Sequence, residues 1–208
     1  MAKGFIEAHT ARGNRNTFLI GLVLTVVGVA LALFLNRWPP AIIAVPGVII
    51  PGVWLLHVVN PRAHPVYKQL ARYGDPQQLG AQIDQEFAGL KANDKTQFGA
   101  RWLAQGHTYG VALVPWSDIA WLHIYTHIRN RVPSHYVRVY SCGGNQFVSP
   151  AGMKQEQVEQ LLRELYARAP WAEVGYTPEL IHLWRKQRAE FLKRVAARKA
   201  QYLARPAQ

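Results

Sequence analysis

The chain has 208 residues, half of them apolar, with 24 Lys and Arg against 12 Asp and Glu and a formal net charge of +12. Its one cysteine, Cys142, excludes an intrachain disulfide and a cysteine metal cluster, in keeping with a reducing compartment. Four basic residues and one acidic residue precede Asn60, so 20 Lys and Arg against 11 Asp and Glu fall in the remaining 149 residues, enough for one domain with a real core.

The first feature in chain order is a pair of uncharged apolar runs, Thr17–Leu35 and Ala41–Val59, joined by Asn36-Arg37-Trp38-Pro39-Pro40. A helix rising 1.5 Å per residue spans about 28 Å over either run, close to the hydrocarbon thickness of a bilayer. The rival for the first run is a cleaved secretory signal, suggested by Lys3, Arg12, Arg15 and the string Ala30-Leu31-Ala32. The run is longer than a signal core, however, and the small-residue string lies inside it. A transmembrane helical hairpin over residues 17–59 is therefore expected, after a cytoplasmic segment 1–16.

Basic residues stay on the cytoplasmic side of a span. Three precede Thr17; Arg62, Lys68 and Arg72 follow Val59; the link holds only Arg37. Both termini are expected in the cytoplasm. Trp38 and Trp54 suit the interfacial belt, while Pro46 and Pro51 should kink the second span and His57 reads as an interfacial residue. Gly21, Thr25, Gly28 and Ala32 recur on one face of the first span, opposite Ala44 and Gly47 on the second, and small residues let helices approach closely in lipid.

Beyond the hairpin, Gly74-Asp75-Pro76 reads as a helix start, with Asp75 as N-cap and Leu79, Ile83, Phe87 and Leu90 on one face, the helix ending near Lys91. Strand-like runs follow at Thr96–Leu103, Tyr109–Val114, Asp118–Ile128, Tyr136–Ser141 and Gln146–Ser149. Gly106, Pro115, Pro133 and the turn Cys142-Gly143-Gly144-Asn145 separate them. A helix over Gly152–Arg168 turns Val158, Leu161, Leu162 and Leu165 inward, and Thr177-Pro178 starts another that runs to about Ala204.

Gly74-Asp75-Pro76, Trp102-Leu103, Asp118-Ile119-Ala120-Trp121, Ala169-Pro170-Trp171 and Gly175-Tyr176 together resemble the landmarks of uncharacterised bacterial two-transmembrane proteins with a pleckstrin-homology-like domain, the YcxB-type family. The resemblance spans about residues 17–184. It implies an α+β protein of a bacterial inner membrane, in which the two-helix transmembrane hairpin precedes an antiparallel PH-like β-sheet domain over residues 60–176 with flanking helices; a basic amphipathic helix is expected over 177–208. The resemblance carries no catalytic residues.

The long strand invites a metal reading through His123 and His127, with His135 close by. Residues four apart on a strand are separated by about 13 Å, too far to share one ion, and no H-E-x-x-H helix is present. Alternation instead gathers Trp121, His123, Tyr125, His127 and Arg129 on one face, which pairing would extend with Tyr136, Arg138 and Tyr140 and a loop bearing Arg131. Interleaved basic and aromatic groups suit an anionic-lipid or partner contact, or an ordinary wetted face. The C-terminal helix carries eight basic residues between Pro178 and Arg205, Lys193, Arg194, Arg198 and Lys199 among them, and an apolar stripe of Leu180, Trp184, Phe191, Val195 and Tyr202. It either lies on an anionic bilayer or packs on the domain's own sheet.

No P-loop, dinucleotide fingerprint or nucleophile elbow is present, and two spans without a charge in their cores build no transport path. The expectation is a non-catalytic membrane-anchored adaptor or sensor without cofactor or metal. Its partners are the bilayer, anionic headgroups, and a membrane protein or a second copy rather than nucleic acid. The alternative is an accessory subunit docked into a larger complex through the hairpin.

Overall fold

A computed structural model describes residues 4–35, 64–90, 96–107, 110–129, 131–149 and 153–204. The expected second span, with Ala44, Gly47, Trp38, Trp54 and His57, lies outside the described residues. The protein is mixed α+β, with an N-terminal apolar helix followed by small sheets, one built on a long antiparallel pair. It divides into two compact units, one of Met1–Asp94 with Ala104–Leu113, the other of Lys95–Leu103 with Val114–Gln208.

In the first unit α1 is a single 31-residue helix, Phe5–Leu35. It begins twelve residues before the expected span, because Phe5, Ile6 and His9 have a core to enter. The Phe5 ring stacks on Phe87 at 4.8 Å, and the Ile6 N–H donates to Asp84 Oδ1 at 2.7 Å. Asp84 thus serves from another helix as an acceptor for an orphan donor at the start of α1. Burial raises its pKa, while the Ile6 N–H works the other way. Within α1, residues 5–31 are long and apolar enough to cross a membrane, their most apolar 18-residue window having a mean hydropathy of 1.5.

Within 17–35 the apolar side chains Leu19, Ile20, Leu22, Val23, Val26, Val27, Val29, Leu31, Leu33 and Phe34 are exposed, whereas Gly21 and Gly28 are buried. Thr25 bonds back to the Gly21 carbonyl at 2.9 Å, which satisfies its hydroxyl without water. Ala32 lies on the same helix.

The short helix α2, Pro65–Leu70, starts at His64, whose ring accepts from the Val66 N–H. Helix α3, Pro76–Glu86, is capped by Asp75, which accepts from the Gln78 N–H at 3.0 Å, as the Asp-Pro pair predicts. It ends at Phe87 rather than near Lys91, since the chain turns over residues 87–89 and Gly89 takes a left-handed φ of +81°. Val66, Leu70, Ile83, Phe87, Val111 and Leu113 are buried in this unit.

Strands β1 (Thr96–Phe98), β2 (Trp102–His107) and β3 (Gly110–Pro115) form a sheet in that order. The expected single strand 96–103 is thus two strands, broken where the Gly99 N–H bonds the Trp102 carbonyl at 2.9 Å. Gly106, expected as a break, lies buried inside β2.

The second unit is built on β4 (Ile119–Arg129), β5 (Val132–Ser141), β6 (Gln146–Val148) and β7 (Glu173–Val174), in the order β6-β5-β4-β7. Antiparallel register pairs Trp121 with Tyr140, His123 with Arg138, Tyr125 with Tyr136 and Arg129 with Val132, after an irregularity between Ile119 and Trp121. Pro133, expected as a break, is inside β5, exposed opposite Ile128. Helix α4, Gln155–Arg168, packs Val158 and Leu165 against β4 and β5.

The C-terminal segment is two helices, α5 (Pro178–Lys186) and α6 (Arg188–Leu203), in place of the one expected. Gln187 leaves the helical region at φ −134°, ψ 47°, although no Gly or Pro marks the break. The change of direction lets Leu180 on α5 and Phe191 and Val195 on α6 all be buried. Tertiary packing here overrides local propensity.

Candidate functional site

The β4 face foreseen as basic and aromatic exists, and its two halves have different fates. On the inner half, Trp121 meets Tyr140 at 5.1 Å, Trp184 at 5.8 Å and Phe191 at 5.9 Å between ring centroids, and His123 meets Tyr176 at 4.7 Å. The stripe of the C-terminal helices covers the sheet, so His123 is 0% exposed. On the outer half Tyr125 and Tyr136 pair at 5.6 Å, Arg138 lies 3.6 Å over the Tyr125 ring, and His127 is exposed. Arg131 is exposed at the hairpin tip, and Arg129 ends β4.

Of the basic residues expected together, His123 is thus enclosed, whereas Tyr125, His127, Arg131 and Arg138 share the open end. The four on α6 stand apart from them. Arg194 Nε and Arg198 Nη1 each lie 2.8 Å from the carboxylate of Glu173, which is 5% exposed, and Arg194 also reaches Glu179. Lys199 donates to the Ser117 carbonyl at 2.6 Å and sits over Trp171, and Lys193 is exposed. The ion pairs stitch α6 to β7.

Glu173 escaped sequence reasoning, because a two-residue strand has no periodicity. Its signal is only its place between the buried Trp171-Ala172 and Gly175-Tyr176.

His123 Nδ1 faces the Ile124 carbonyl at 3.2 Å, while Nε2 is buried without a hydrogen-bond partner among the described residues. Burial lowers its pKa, the Ile124 carbonyl works against that, and Arg138 adds to the lowering. The unfolded chain therefore binds the proton more readily, and the stability gained from a neutral His123 is full above pH 6.5. It is lost as the pH falls below that value toward the lowered folded one. His123→Phe is expected to abolish this acid slope, measured as the urea midpoint at neutral and mildly acidic pH; an unchanged slope would contradict the assignment.

Cys142 stands in the four-residue connection between β5 and β6, where Gly144 has φ +90° and the Ser141 hydroxyl accepts from the Asn145 N–H. An added Cβ at Gly144 would meet the Arg188 guanidinium at 2.5 Å, and that guanidinium donates to the Cys142 carbonyl at 3.0 Å. The string is a turn, as its glycines predict.

Burial, followed by the charge and hydrogen bond of Asp118, pushes the thiol up to about 11, against the pull of Lys199. A nucleophilic thiol needs the opposite shift. Alkylation of Cys142 should stay slow at neutral pH and climb about tenfold per pH unit toward about 11. A plateau near neutrality would instead identify an activated cysteine.

Among the described residues no three His, Cys, Asp or Glu side chains converge as a metal site. His135 hydrogen-bonds Thr126 at 2.9 Å, beside the open face rather than on it. An open recess of about 220 Å³ lies between α4 and α6, lined by Tyr166, Pro170, Trp171, Arg198, Gln201 and Tyr202. No family model, curated protein or solved structure matches this chain.

Proposed function

We propose that the protein is a non-catalytic binding module anchored in a bacterial inner membrane by a two-span hairpin, residues 17–35 and 41–59, with both termini cytoplasmic. The observation that carries this reading is α1: one helix whose charged end is fastened to Phe87 and Asp84, and whose remaining length presents apolar side chains outward. Such a continuous exposed apolar surface has lipid as its natural solvent. On this reading the antiparallel sheet is PH-like, in the manner of the YcxB-type proteins. Its open half, Tyr125, His127, Arg131 and Arg138, is the contact for anionic headgroups on the leaflet that the anchor holds nearby.

A second reading is favoured by the small residues Gly21, Thr25 and Gly28, which recur at steps of four and three along α1: an accessory subunit that docks through its hairpin. Purification in gentle detergent followed by native mass spectrometry separates the two. The chain with bound anionic lipid supports the binding module. A partner protein at fixed stoichiometry, with no enrichment of anionic lipid, overturns it in favour of the subunit.

A further inference from the structure

We infer that the tip of the β4–β5 hairpin is a wedge that dips into an anionic leaflet, with Ile128, Val132 and Pro133 entering the headgroup–acyl boundary and Arg131 held beside the lipid phosphates. The inference rests on the membrane anchoring proposed above and names the residues of that contact.

Ile128 is 68% exposed and Val132 63%, and Pro133 is exposed as well. Register places Ile128 opposite Pro133 and Arg129 opposite Val132, so apolar groups project from both faces of the ribbon. Docking on one flat partner would use one face only. A tip surrounded by acyl chains uses both. From Tyr125 to Arg129 the strand advances about 13 Å, enough to reach the depth of about 5–10 Å at which interfacial segments bury apolar groups.

The surrounding charge selects the surface. Between Asp118 and Glu156 the chain has no acidic residue, while Arg129, Arg131, Arg138 and Lys154 are basic. A second copy of the tip would bring like charge to like charge, whereas an anionic leaflet brings phosphate. The turn itself points the same way. Arg131 occupies a left-handed conformation, φ +62°, in the two-residue connection between Arg129 and Val132, where glycine is the usual occupant. The arginine side chain is exposed there.

The test uses the full chain in lipid nanodiscs of phosphatidylcholine, alone or mixed with phosphatidylglycerol. Ile128→Cys is labelled at neutral pH with a polarity-sensitive fluorophore, and Gln160→Cys on α4 is the control. The wedge predicts blue-shifted emission at position 128, quenched by lipid-borne nitroxide in the anionic discs and far less in the neutral ones, with a water-like control.

Arg131→Gly suits the turn and so keeps the fold, and it should lower the inserted-to-free ratio about fivefold, the worth of one arginine near such a surface. Water-like emission at 128 in an embedded protein overturns the wedge alone, as does equal quenching in both lipids, or a blue shift without quenching. A chain that never enters the discs overturns the anchoring on which it rests.

Discussion

Phe191→Ala is expected to destabilise the C-terminal unit by about 3–5 kcal/mol, the usual cost of emptying a fully buried aromatic site. Phe191 is 0% exposed, and its ring stands edge-on to Trp184 at 5.1 Å and tilted against Trp121 at 5.9 Å. Truncation therefore removes both the buried area and two aromatic contacts, each worth about 0.5–1.5 kcal/mol beyond area. The ion pairs of Arg194 and Arg198 with Glu173 are half open to solvent on the arginine side and offset little of that loss. Urea unfolding followed by tryptophan emission measures the effect, with Phe191→Leu as the milder control. A change below about 1 kcal/mol would mean that α6 does not depend on its seat over β4.

The second large effect concerns the anchor. Val26 is 59% exposed at the midpoint of residues 17–35. Placing an arginine at the centre of a membrane helix costs about 2.5–3.5 kcal/mol of insertion free energy. Val26→Arg is thus expected to shift most of the chain from the membrane pellet to the supernatant or to degradation, whereas Val26→Leu remains in the pellet. Equal membrane retention of both variants would show that this surface of α1 does not face lipid.

The parts of this fold legible in the sequence are those whose causes are local. Asp75-Pro76 and Thr177-Pro178 start helices because the cap accepts an orphan N–H and proline has none to lose, and both caps are made, Asp75 accepting from the Gln78 N–H and Thr177 from the Leu180 N–H. Alternation along β4 and the pairing of its face with Tyr136, Arg138 and Tyr140 follow from a period of two.

The rest depends on partners far away in the chain. Phe5 and Ile6 are ordinary residues until Phe87 and Asp84 receive them, which is why α1 starts before the apolar run. The break at Gln187 has no local signature, and it is Trp121 and the sheet beneath that require Trp184 and Phe191 to converge. The stripe on the C-terminal helices was visible as a stripe, but periodicity does not say whether protein or bilayer covers it. Packing assigns the Leu180, Phe191 and Val195 part of it to the protein, encloses His123, and ties Arg194, Arg198 and Lys199 into contacts within the unit, whereas the β4–β5 tip carries exposed basic and apolar groups together.

The most direct test of the central claim is extraction of native membranes with alkaline carbonate, followed by detection of the full chain in the pellet and supernatant. A membrane-anchored module remains in the pellet and leaves it only with detergent. Recovery of the untreated chain in the carbonate supernatant would contradict the account.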